Sequence, residues 1–388
     1  MIERIIKRKT LLLARKFPVI SVTGPRQSGK TTLIKSAFPD YRYETLEDPG
    51  TRLLVQNDPV RFLGGKEKII IDEIQRFPEL FSYIQGMVDK NNISGQFIIS
   101  GSQSFLLNQH ISQSLAGRVA ILNLLPLSIA ELQKGKIDVT DYEKLIFTGF
   151  FPRIYDKKIS PADFYPNYIQ TYIERDIRLL QNIHDLNTFV RFIKICAGRT
   201  GQLINYTSLA NDCGISPNSA RSWLSLLESS HIIFLLQPHH QNFKKRLVKM
   251  AKLYFTDTGL ASSLLDIQSE NQLLSHYLRG ALFENLILSE FIKMRLNSGL
   301  RPNIYFWRDN KGMEIDCLIE TGETVTPVEI KSGNTFNPDY FKNLRYWNRI
   351  SGNNPENSWV IYGGDYSRAT GDGNLISWKN ISKIPLVM

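Results

Sequence analysis

The feature that most constrains this chain is a glycine-rich segment, Gly24–Thr31, between an apolar run and the start of a helix. The run 17–23 predicts a buried strand, and a helix is predicted to open at Thr32. The segment has the pattern GxxxxGK[ST] of a phosphate-binding loop, in the strand–loop–helix setting that the pattern requires. Its glycines let backbone N–H groups curl around phosphates at the positive end of the helix. The alternative interpretation is a glycine-rich turn without a ligand.

The pattern assigns chemistry to this loop. Lys30 would neutralise the β- and γ-phosphates of a nucleotide, and the hydroxyl of Thr31 would bind Mg²⁺. No guanine-recognition signature of the NKxD type is visible, so ATP is favoured over GTP. The predicted nucleotide-binding residues of the loop are Gly24, Pro25, Arg26, Gln27, Ser28, Gly29, Lys30, Thr31 and Thr32.

Two further strands end in polar residues. The strand predicted over 68–73 is apolar and ends in Asp72 and Glu73. Because chemistry in open α/β sheets lies at the carboxyl ends of strands, Asp72 is predicted to hold the water shell of Mg²⁺ and Glu73 to polarise the attacking water. The strand predicted over 96–103 places Ser102 where a γ-phosphate sensor would lie. The alternative for the two acids is a solvated turn.

Length and composition describe a globular protein with a basic excess. The 388 residues suggest two to four domains, and the apolar share of 42% is enough for a buried core. The 47 basic and 37 acidic residues leave a net charge of +10, which suggests a polyanionic partner. A membrane-spanning helix needs about 20 apolar residues, and no apolar stretch approaches that length. No secretory signal is recognised, and the three cysteines form no paired motif. We therefore expect a cytoplasmic protein without a membrane partner.

The loop and the two polar-ended strands together resemble the core of an AAA-type (P-loop) ATPase. More narrowly, the chain is similar to a family of prokaryotic ATPases with a C-terminal region of poorly known function. The resemblance extends over essentially the whole chain and implies ATP hydrolysis, a parallel α/β sheet and an ATPase core over residues 1–150. Further stretches that carry it are LEDP at 46–49, LAGRV at 115–119, PLS at 126–128 and the spaced residues Tyr168, Tyr172, Arg175 and Asp176.

Two arginines are candidates for a contact with the γ-phosphate, from the same subunit or from a neighbouring one. Arg118 precedes a predicted strand, and Arg153 follows the sequence GFFP. An arginine finger stabilises the charge of the transition state, whereas the alternative for each residue is a surface salt bridge. Whether the chain forms a homo-oligomer therefore stays open. Residues 151–185 are interpreted as a helical lid or connector, because apolar residues recur at helical spacing over 160–182.

Residues 186–260 have the pattern of a winged helix. Three helices are predicted, with Gly214 in the turn of a helix-turn-helix, followed by two strands and an intervening basic wing. The region holds nine basic and three acidic residues, a net charge of +6, and is the most densely basic part of the chain. DNA binding would place the third helix in the major groove and the wing on phosphates. The predicted contacts are Asn218, Arg221, Lys244, Lys245, Arg246 and Lys249. Because the third helix also carries Trp223 and three leucines, protein docking and a structural role stay open.

Residues 261–388 contain a second chemical pattern. A helix with Glu284 precedes three predicted strands, and the second and third of these carry Asp316 and the sequence Glu329-x-Lys331. This order resembles the PD-(D/E)xK core of restriction-endonuclease-like proteins. The resemblance implies that Asp316 and Glu329 bind Mg²⁺ with support from Glu284. Lys331 lies on the same strand face as Glu329 and would orient or deprotonate a water. The alternatives are a module that binds without cutting, and a salt bridge from Lys331 to either acid.

These patterns predict an α/β chain with a parallel-sheet ATPase core, a helical connector, a winged helix and a restriction-endonuclease-like domain. The leading hypothesis is an ATPase that acts on or with DNA, with Lys30 and Glu73 in catalysis. Asp316, Glu329 and Lys331 are the candidates for nuclease chemistry. The alternative is a nucleotide-gated switch or scaffold whose winged helix and C-terminal domain bind protein partners without cleavage.

Overall fold

The computed structural model describes residues 2–102, 111, 114–177, 185–239 and 249–386. The chain forms two compact units. The first unit contains residues 1–127, 229–231 and 296–300, and the second contains residues 128–228, 232–295 and 301–388. In the described ranges, no helix is both long enough and apolar enough to cross a membrane.

A parallel five-stranded sheet forms the centre of the first unit. Its strands are β1 (Val19–Thr23), β2 (Arg42–Thr45), β3 (Ile69–Asp72), β4 (Phe97–Gly101) and β5 (Val119–Asn123), in the spatial order β2-β3-β4-β1-β5. β1, β3 and β4 are buried along their whole length, as expected for parallel strands that are covered on both faces. After β1 the chain places β2, β3 and β4 on one side of that strand, and it then places β5 on the other side. Ligand sites of open α/β sheets lie at the carboxyl ends of strands where the order reverses in this way.

Helices flank this sheet. They are α1 (Lys7–Ala14), α2 (Lys30–Ala37), α3 (Pro49–Asn57), α4 (Pro59–Leu63) and α5 (Leu80–Asn91), with a 3-10 turn at Ile74–Arg76. The carboxylates of Asp48 and Asp58 cap α3 and α4, and a proline follows each of them. Ile69 and Ile71 of β3 belong to one apolar cluster and Ile70 to another. Since successive strand residues point to opposite faces, the two clusters form the two sides of the core.

The second unit begins with helices. They are α6 (Ile129–Lys134), α7 (Tyr142–Thr148), α8 (Pro152–Lys157) and α9 (Pro161–Tyr168), and α9 continues into a π-helix, Ile169–Ile177. The helix predicted over 160–182 is thus an α-helix followed by a π-helix, and residues 178–182 lie outside the described ranges. The buried carboxylate of Asp257 accepts hydrogen bonds from the N–H of Phe150 and the hydroxyl of Tyr165, both at 2.7 Å. These bonds tie the helical segment to the chain that follows β7.

Three helices and a two-stranded antiparallel ribbon follow. The helices are α10 (Leu186–Gly198), α11 (Tyr206–Cys213) and α12 (Pro217–Ser229), and the ribbon is β6 (Ile233–Leu236) with β7 (Lys252–Phe255). Gly214 adopts a φ of 72° in the turn between α11 and α12, a conformation that favours glycine. Trp223 of α12 packs edge-on against Phe189 and Phe192, with ring centroids 5.3 and 5.2 Å apart. Its role is therefore to hold α12 against α10.

The C-terminal part contains a mixed six-stranded sheet. Its strands are β8 (Ile304–Arg308), β9 (Glu314–Thr321), β10 (Thr324–Lys331), β11 (Trp359–Tyr362), β12 (Arg368–Thr370) and β13 (Gly373–Ser377), in the order β12-β13-β11-β10-β9-β8. β8, β9 and β10 are antiparallel, whereas β11 pairs in parallel with β10 and with β13.

Helices precede and connect these strands. α13 (Thr258–Leu264), α14 (Glu270–Leu273) and α15 (Arg279–Asn297) come before β8, and α16 (Lys342–Ser351) joins β10 to β11. Leu344 and Trp347 of α16 are buried in one apolar cluster with residues of β8 to β11 and of β13. Short 3-10 turns lie at Pro338–Phe341, Pro355–Asn357 and Trp378–Lys383.

Candidate functional site

The segment Gly24–Thr31 joins the carboxyl end of β1 to α2 in a tight curve that requires glycine. Gly24 has a φ of 150°, and a Cβ atom there would lie 2.1 Å from the carbonyl oxygen of Leu124. Gly29, the residue before α2, has a φ of 92°. Side chains therefore cannot replace these glycines without moving the loop. The loop lies at the positive end of α2, where backbone N–H groups bind anions.

Lys30 is the first residue of α2 and is only 6% exposed. Its ammonium donates hydrogen bonds to the carbonyl oxygens of Gly24 (3.0 Å) and Pro25 (2.9 Å). Burial lowers the pKa of Lys30 to about 8, because the charges of Glu73 and Asp72 only partly offset the loss of hydration. A bound phosphate would give this ammonium an opposite charge in place of neutral carbonyls. The loop is therefore arranged to receive an anion.

The other loop residues differ in exposure. Gln27 and Thr32 are exposed, and Arg26 is half-buried. The hydroxyl of Ser28 is buried and has no hydrogen-bond partner among the described residues. A buried polar group without a partner is unfavourable, so this hydroxyl is suited to contact a ligand.

Arg4 supports the loop from behind, a role that no pattern in the sequence indicates. Its guanidinium donates hydrogen bonds to the carbonyl oxygens of Ser28 and Leu125, both at 2.6 Å, and the side chain is buried. It therefore links the phosphate loop to the chain that follows β5. The only sequence signal at this position is that the N-terminal segment is basic.

Asp72, the last residue of β3, organises a polar network beside the loop. Its Oδ2 accepts hydrogen bonds from the hydroxyls of Thr31 (2.6 Å) and Tyr43 (3.0 Å). Its Oδ1 accepts from the hydroxyl of Ser100 and from the N–H of Glu73 (3.1 Å). Burial and the charge of Asp72 raise the pKa of Tyr43 above its ordinary value, so the phenol remains a donor. Tyr43 and Ser100 carry no motif that would reveal this role.

The donor set beside the loop fits Mg²⁺. Mg²⁺ prefers oxygen ligands and is held in nucleotide sites by one or two protein groups together with phosphates and water. The hydroxyl of Thr31 and the carboxylate of Asp72 are such ligands, and they already lie 2.6 Å apart. These two residues would hold the metal.

Glu73 follows β3 in a left-handed backbone conformation, with a φ of 54°. Such a conformation costs on the order of 1 kcal/mol or more for a residue other than glycine, and it concentrates at functional sites. The carboxylate accepts hydrogen bonds from the side-chain amide of Gln75 and from the hydroxyl of Ser102 (3.2 Å). Glu73 and Ser102 therefore lie together at the carboxyl edge of the sheet.

The two candidate arginines have different surroundings. Arg118 forms a two-pronged ion pair with Asp89, with one N···O distance of 3.0 Å. It precedes Val119, which pairs with Val19 at the amino end of β1, so the five-residue strand, about 16 Å long, separates it from the loop. This placement favours the salt-bridge interpretation for Arg118 over a contact with the phosphates of the same chain. Arg153 belongs to the second unit and is exposed in the first turn of α8, so its phosphate contact stays a prediction.

A second polar cluster lies on β9 and β10. The ammonium of Lys331 donates hydrogen bonds to Oδ2 of Asp316 (3.2 Å) and to Oε2 of Glu329. The N–H of Ile330 also donates to Oδ2 of Asp316, at 2.8 Å. Glu329 is fully buried, and burial together with the charge of Asp316 raises its pKa to about 8. The three predicted residues are adjacent, and Lys331 makes the salt bridges that the sequence leaves open as its alternative role.

Glu284 of α15 contacts a different lysine. Its Oε1 accepts hydrogen bonds from the ammonium of Lys252 (3.2 Å) and from the hydroxyl of Tyr254. Lys252 also forms an ion pair with Glu314. Lys252 is a further basic residue at the end of the segment predicted as the wing, and it is only 4% exposed. An ammonium buried between two carboxylates is not available to a DNA phosphate, so Lys252 does not add to the DNA contacts predicted for the wing.

The carboxylate cluster formed by Glu284, Glu314, Asp316 and Glu329 does not fit Mg²⁺ in this arrangement. Each of two ammonium groups bridges two of the four acids. A metal needs lone-pair donors, and an ammonium offers none. Over the part of the chain that the structure describes, no three His, Cys, Asp or Glu residues are grouped so that they could hold a metal ion. The described geometry therefore places lysine ammonium groups beside Glu284, Asp316 and Glu329, and a metal at these residues stays a prediction.

The residues predicted to contact DNA are only partly described. Asn218 and Arg221 are exposed on α12, and Arg221 lies over the ring of Tyr206 at 4.8 Å from its centroid. Lys249 is exposed before β7. Lys244, Lys245 and Arg246 lie outside the described residues. α12 itself carries one basic residue, Arg221, and one acidic residue, Glu228, so its exposed face is polar without a basic excess.

Comparisons with known proteins divide the chain into three matched regions. The profile of an AAA domain matches residues 16–133. Two domains of unknown function, DUF8612 and DUF4143, match residues 139–271 and 279–381. The AAA match covers the phosphate loop, Asp72 and Glu73.

Whole-chain relatives are also found. The uncharacterized protein Rv2008c of Mycobacterium tuberculosis is 32% identical over 337 residues, which are 84% of this chain and 73% of the relative. An uncharacterized protein of Haemophilus influenzae is 24% identical over 277 residues, which are 62% of this chain and 67% of that relative. Among solved structures, the Walker-type ATPase PABY2304 of Pyrococcus abyssi is 14% identical, with a TM-score of 0.44 over 67% of this chain and 94% of the other.

Proposed function

This chain belongs to the same family as Rv2008c of Mycobacterium tuberculosis and carries an AAA domain, and on that premise we propose that it binds ATP with Mg²⁺ and hydrolyses it. The observation that carries the proposal is the arrangement at the carboxyl edge of the parallel sheet. There the hydroxyl of Thr31 lies 2.6 Å from Asp72, and Glu73 follows Asp72 directly. A buried ammonium, a hydroxyl and two carboxylates are the groups that phosphoryl transfer needs.

Each residue of the site has a separate task. Lys30 would exchange its bonds to Gly24 and Pro25 for the β- and γ-phosphates, which restores a charged partner to its ammonium. Glu73 would accept a hydrogen bond from the attacking water and orient it towards the γ-phosphate. Ser102, at hydrogen-bond distance from Glu73, would report whether that phosphate is present. When bound at Thr31 and Asp72, Mg²⁺ supplies positive charge to the phosphate oxygens.

Phosphate release from ATP tests this proposal. We expect wild type to hydrolyse ATP in the presence of Mg²⁺ and Lys30→Ala to be inactive. Lys90→Ala is the control, since Lys90 is an exposed lysine on α5 of the same unit. Wild-type hydrolysis no faster than that of Lys30→Ala, with and without DNA, would refute ATPase activity.

For the second unit we propose contact with DNA through α12 and the ribbon. Three helices followed by an antiparallel ribbon support a winged helix, and the net charge of +6 over 186–260 supports a polyanionic partner. Arg221 would contact phosphate or a base edge from the exposed face of α12. Fluorescence anisotropy with duplex DNA tests this. We expect Arg221→Ala to weaken binding and to reduce its salt dependence, whereas an unchanged affinity would favour protein docking.

The second candidate function is a nucleotide-gated switch whose C-terminal domain binds without cutting. The observation that favours it is the position of Lys331 and Lys252. Each of these two lysines forms ion pairs with two acids of the carboxylate cluster. The order of α15, β8, β9 and β10 supports the nuclease-like architecture, whereas these lysines do not favour metal-dependent cleavage. Incubation of wild type and Asp316→Ala with plasmid and Mg²⁺ or Mn²⁺ discriminates the two. Nicking by wild type that Asp316→Ala lacks would sink the switch interpretation.

A further inference from the structure

Three positive side chains contact the carboxylate cluster, and one of them comes from an element outside the C-terminal sheet. Arg308 of β8 lies 3.3 Å from Glu314, inside that sheet. Lys331 lies on β10 together with Glu329, so its presence follows from the local sequence. Lys252 lies on β7, and it reaches Glu284 of α15 and Glu314 of β9. The sequence separation from Lys252 to Glu284 is 32 residues. Lys252 therefore belongs to the ribbon, whereas both acids that it contacts belong to other elements.

The position of Lys252 is fixed by its backbone. Lys252 pairs with Leu236 in the antiparallel ribbon and forms a further bridge with Leu203. Its side chain is 5% exposed, and the side chains of Glu284 and Glu314 are 17% and 20% exposed. An ammonium that is removed from water to this extent is stable only when it is paired. The ion pairs and the strand pairing therefore hold the same side chain in one place.

The position of the Lys252 nitrogen is also the position at which a cation is attracted by both Glu284 and Glu314. Oxygens of Glu284 and Glu314 both lie within ion-pair distance of the Lys252 nitrogen, and the hydroxyl of Tyr254 also contacts Glu284. Two carboxylates thus contact one ammonium, and a phenol hydroxyl contacts one of those carboxylates. While the ammonium is there, it blocks this position by its volume and repels a second cation by its charge.

From this geometry we propose that Lys252 acts as the resident cation of the carboxylate cluster and excludes a divalent metal from it. The cation between these two acids is thereby supplied by the chain itself. A metal ion gains access to Glu284 and Glu314 only if the Lys252 side chain is withdrawn. This inference goes beyond ATP hydrolysis and DNA binding and does not depend on either.

Mn²⁺ binding to the full chain, followed by electron paramagnetic resonance without nucleotide, tests the proposal. We expect wild type and Lys252→Arg to bind no Mn²⁺ at the cluster, because both keep a positive charge there. Lys252→Met has a similar length and no charge. It leaves Glu284 without a cation and Glu314 with Arg308 as its remaining cation. We expect its Mn²⁺ affinity to rise on the order of tenfold or more, the scale on which neighbouring groups change metal affinity.

A second substitution assigns the bound metal to the cluster. Adding Glu284→Gln to Lys252→Met should remove the gained Mn²⁺ site, since it removes one of the ligands. Binding elsewhere, including at the phosphate loop, would survive this change. Measurable Mn²⁺ binding by wild type that Glu284→Gln abolishes would overturn the proposal. So would a folded Lys252→Met protein that binds no more Mn²⁺ than wild type.

Folding of the variant is itself informative. Removal of Lys252 leaves the partly buried Glu284 with Tyr254 and Glu314 with Arg308 as their remaining partners. Loss of the shared ammonium is expected to make Lys252→Met melt at a lower temperature than wild type. Addition of Mn²⁺ should raise its melting temperature and leave that of Lys252→Arg unchanged. If neither Lys252→Met nor Lys252→Gln folds even with Mn²⁺ present, a metal does not replace the lysine, and the proposal is wrong.

Discussion

The buried ammonium of Lys30 makes ATP affinity depend on pH in a range that can be measured. Its pKa is about 8 in the nucleotide-free chain, and only the charged form attracts phosphates. Well below this pKa the ammonium is fully charged and its attraction for phosphates is greatest. The attraction is lost as the pH rises through the pKa. Between about pH 7.5 and about pH 9 the charged fraction falls from about three quarters to about one tenth. ATP affinity should then fall about eightfold, or about 1.2 kcal/mol.

Equilibrium titration with a fluorescent ATP analogue and Mg²⁺ at constant ionic strength measures this effect. The bound phosphates favour the charged lysine, so binding above the pKa should also take up a proton. Calorimetry in two buffers with different ionisation enthalpies measures that uptake. Lys30→Arg is the control, because a guanidinium stays charged throughout this range. A wild-type affinity that is equal at both pH values, without proton uptake, would refute the reasoning.

Three further outcomes follow from the site. Glu73→Gln should keep ATP affinity and lower the rate of phosphate release by about 10²–10⁴; a parallel loss of affinity would contradict its assignment to the attacking water. Arg118→Ala removes only an exposed pair with Asp89, so steady-state turnover should stay at the wild-type value, and a marked loss would show that Arg118 reaches phosphate in another subunit. Gly24→Ala should abolish nucleotide binding, since its Cβ would lie 2.1 Å from a backbone oxygen. Gly86→Ala, where nothing lies within 4 Å of the added atom, is its control and should melt at or above the wild-type temperature.

The fold of the first unit follows closely from the sequence. The strand–loop–helix pattern around Gly24 and the apolar strand ending in Asp72 predict a parallel sheet with a site at its carboxyl edge, and AAA-domain similarity confirms the class. These signals are local, because β1 and β3 are buried on both faces and each therefore appears in the sequence as an apolar run. The residues that complete the site are not local. Arg4 reaches the loop from 24 residues away, and Tyr43 reaches Asp72 from a neighbouring strand.

The basic wing illustrates why charge patterns are less informative than motifs. A run of lysines predicts a solvated or DNA-binding face, and this holds for the exposed Lys249. The same pattern includes Lys252, whose side chain is buried among acids. Lys252 is the first residue of β7, which is buried along its whole length, whereas Lys249 precedes the strand. Strand pairing, and not composition, therefore decides the role of Lys252.

The contacts of Arg4 make the phosphate loop depend on a segment that lies outside its own motif. Its guanidinium holds the carbonyl of Ser28 and so fixes the back of the phosphate loop. The same guanidinium donates to the carbonyl oxygens of Leu125 and Pro126, in the segment that follows β5. A substitution that moves the backbone of this segment therefore also moves a support of the loop, although it changes no residue that contacts the nucleotide. Nucleotide affinity is thus sensitive to a part of the chain outside the phosphate-binding pattern.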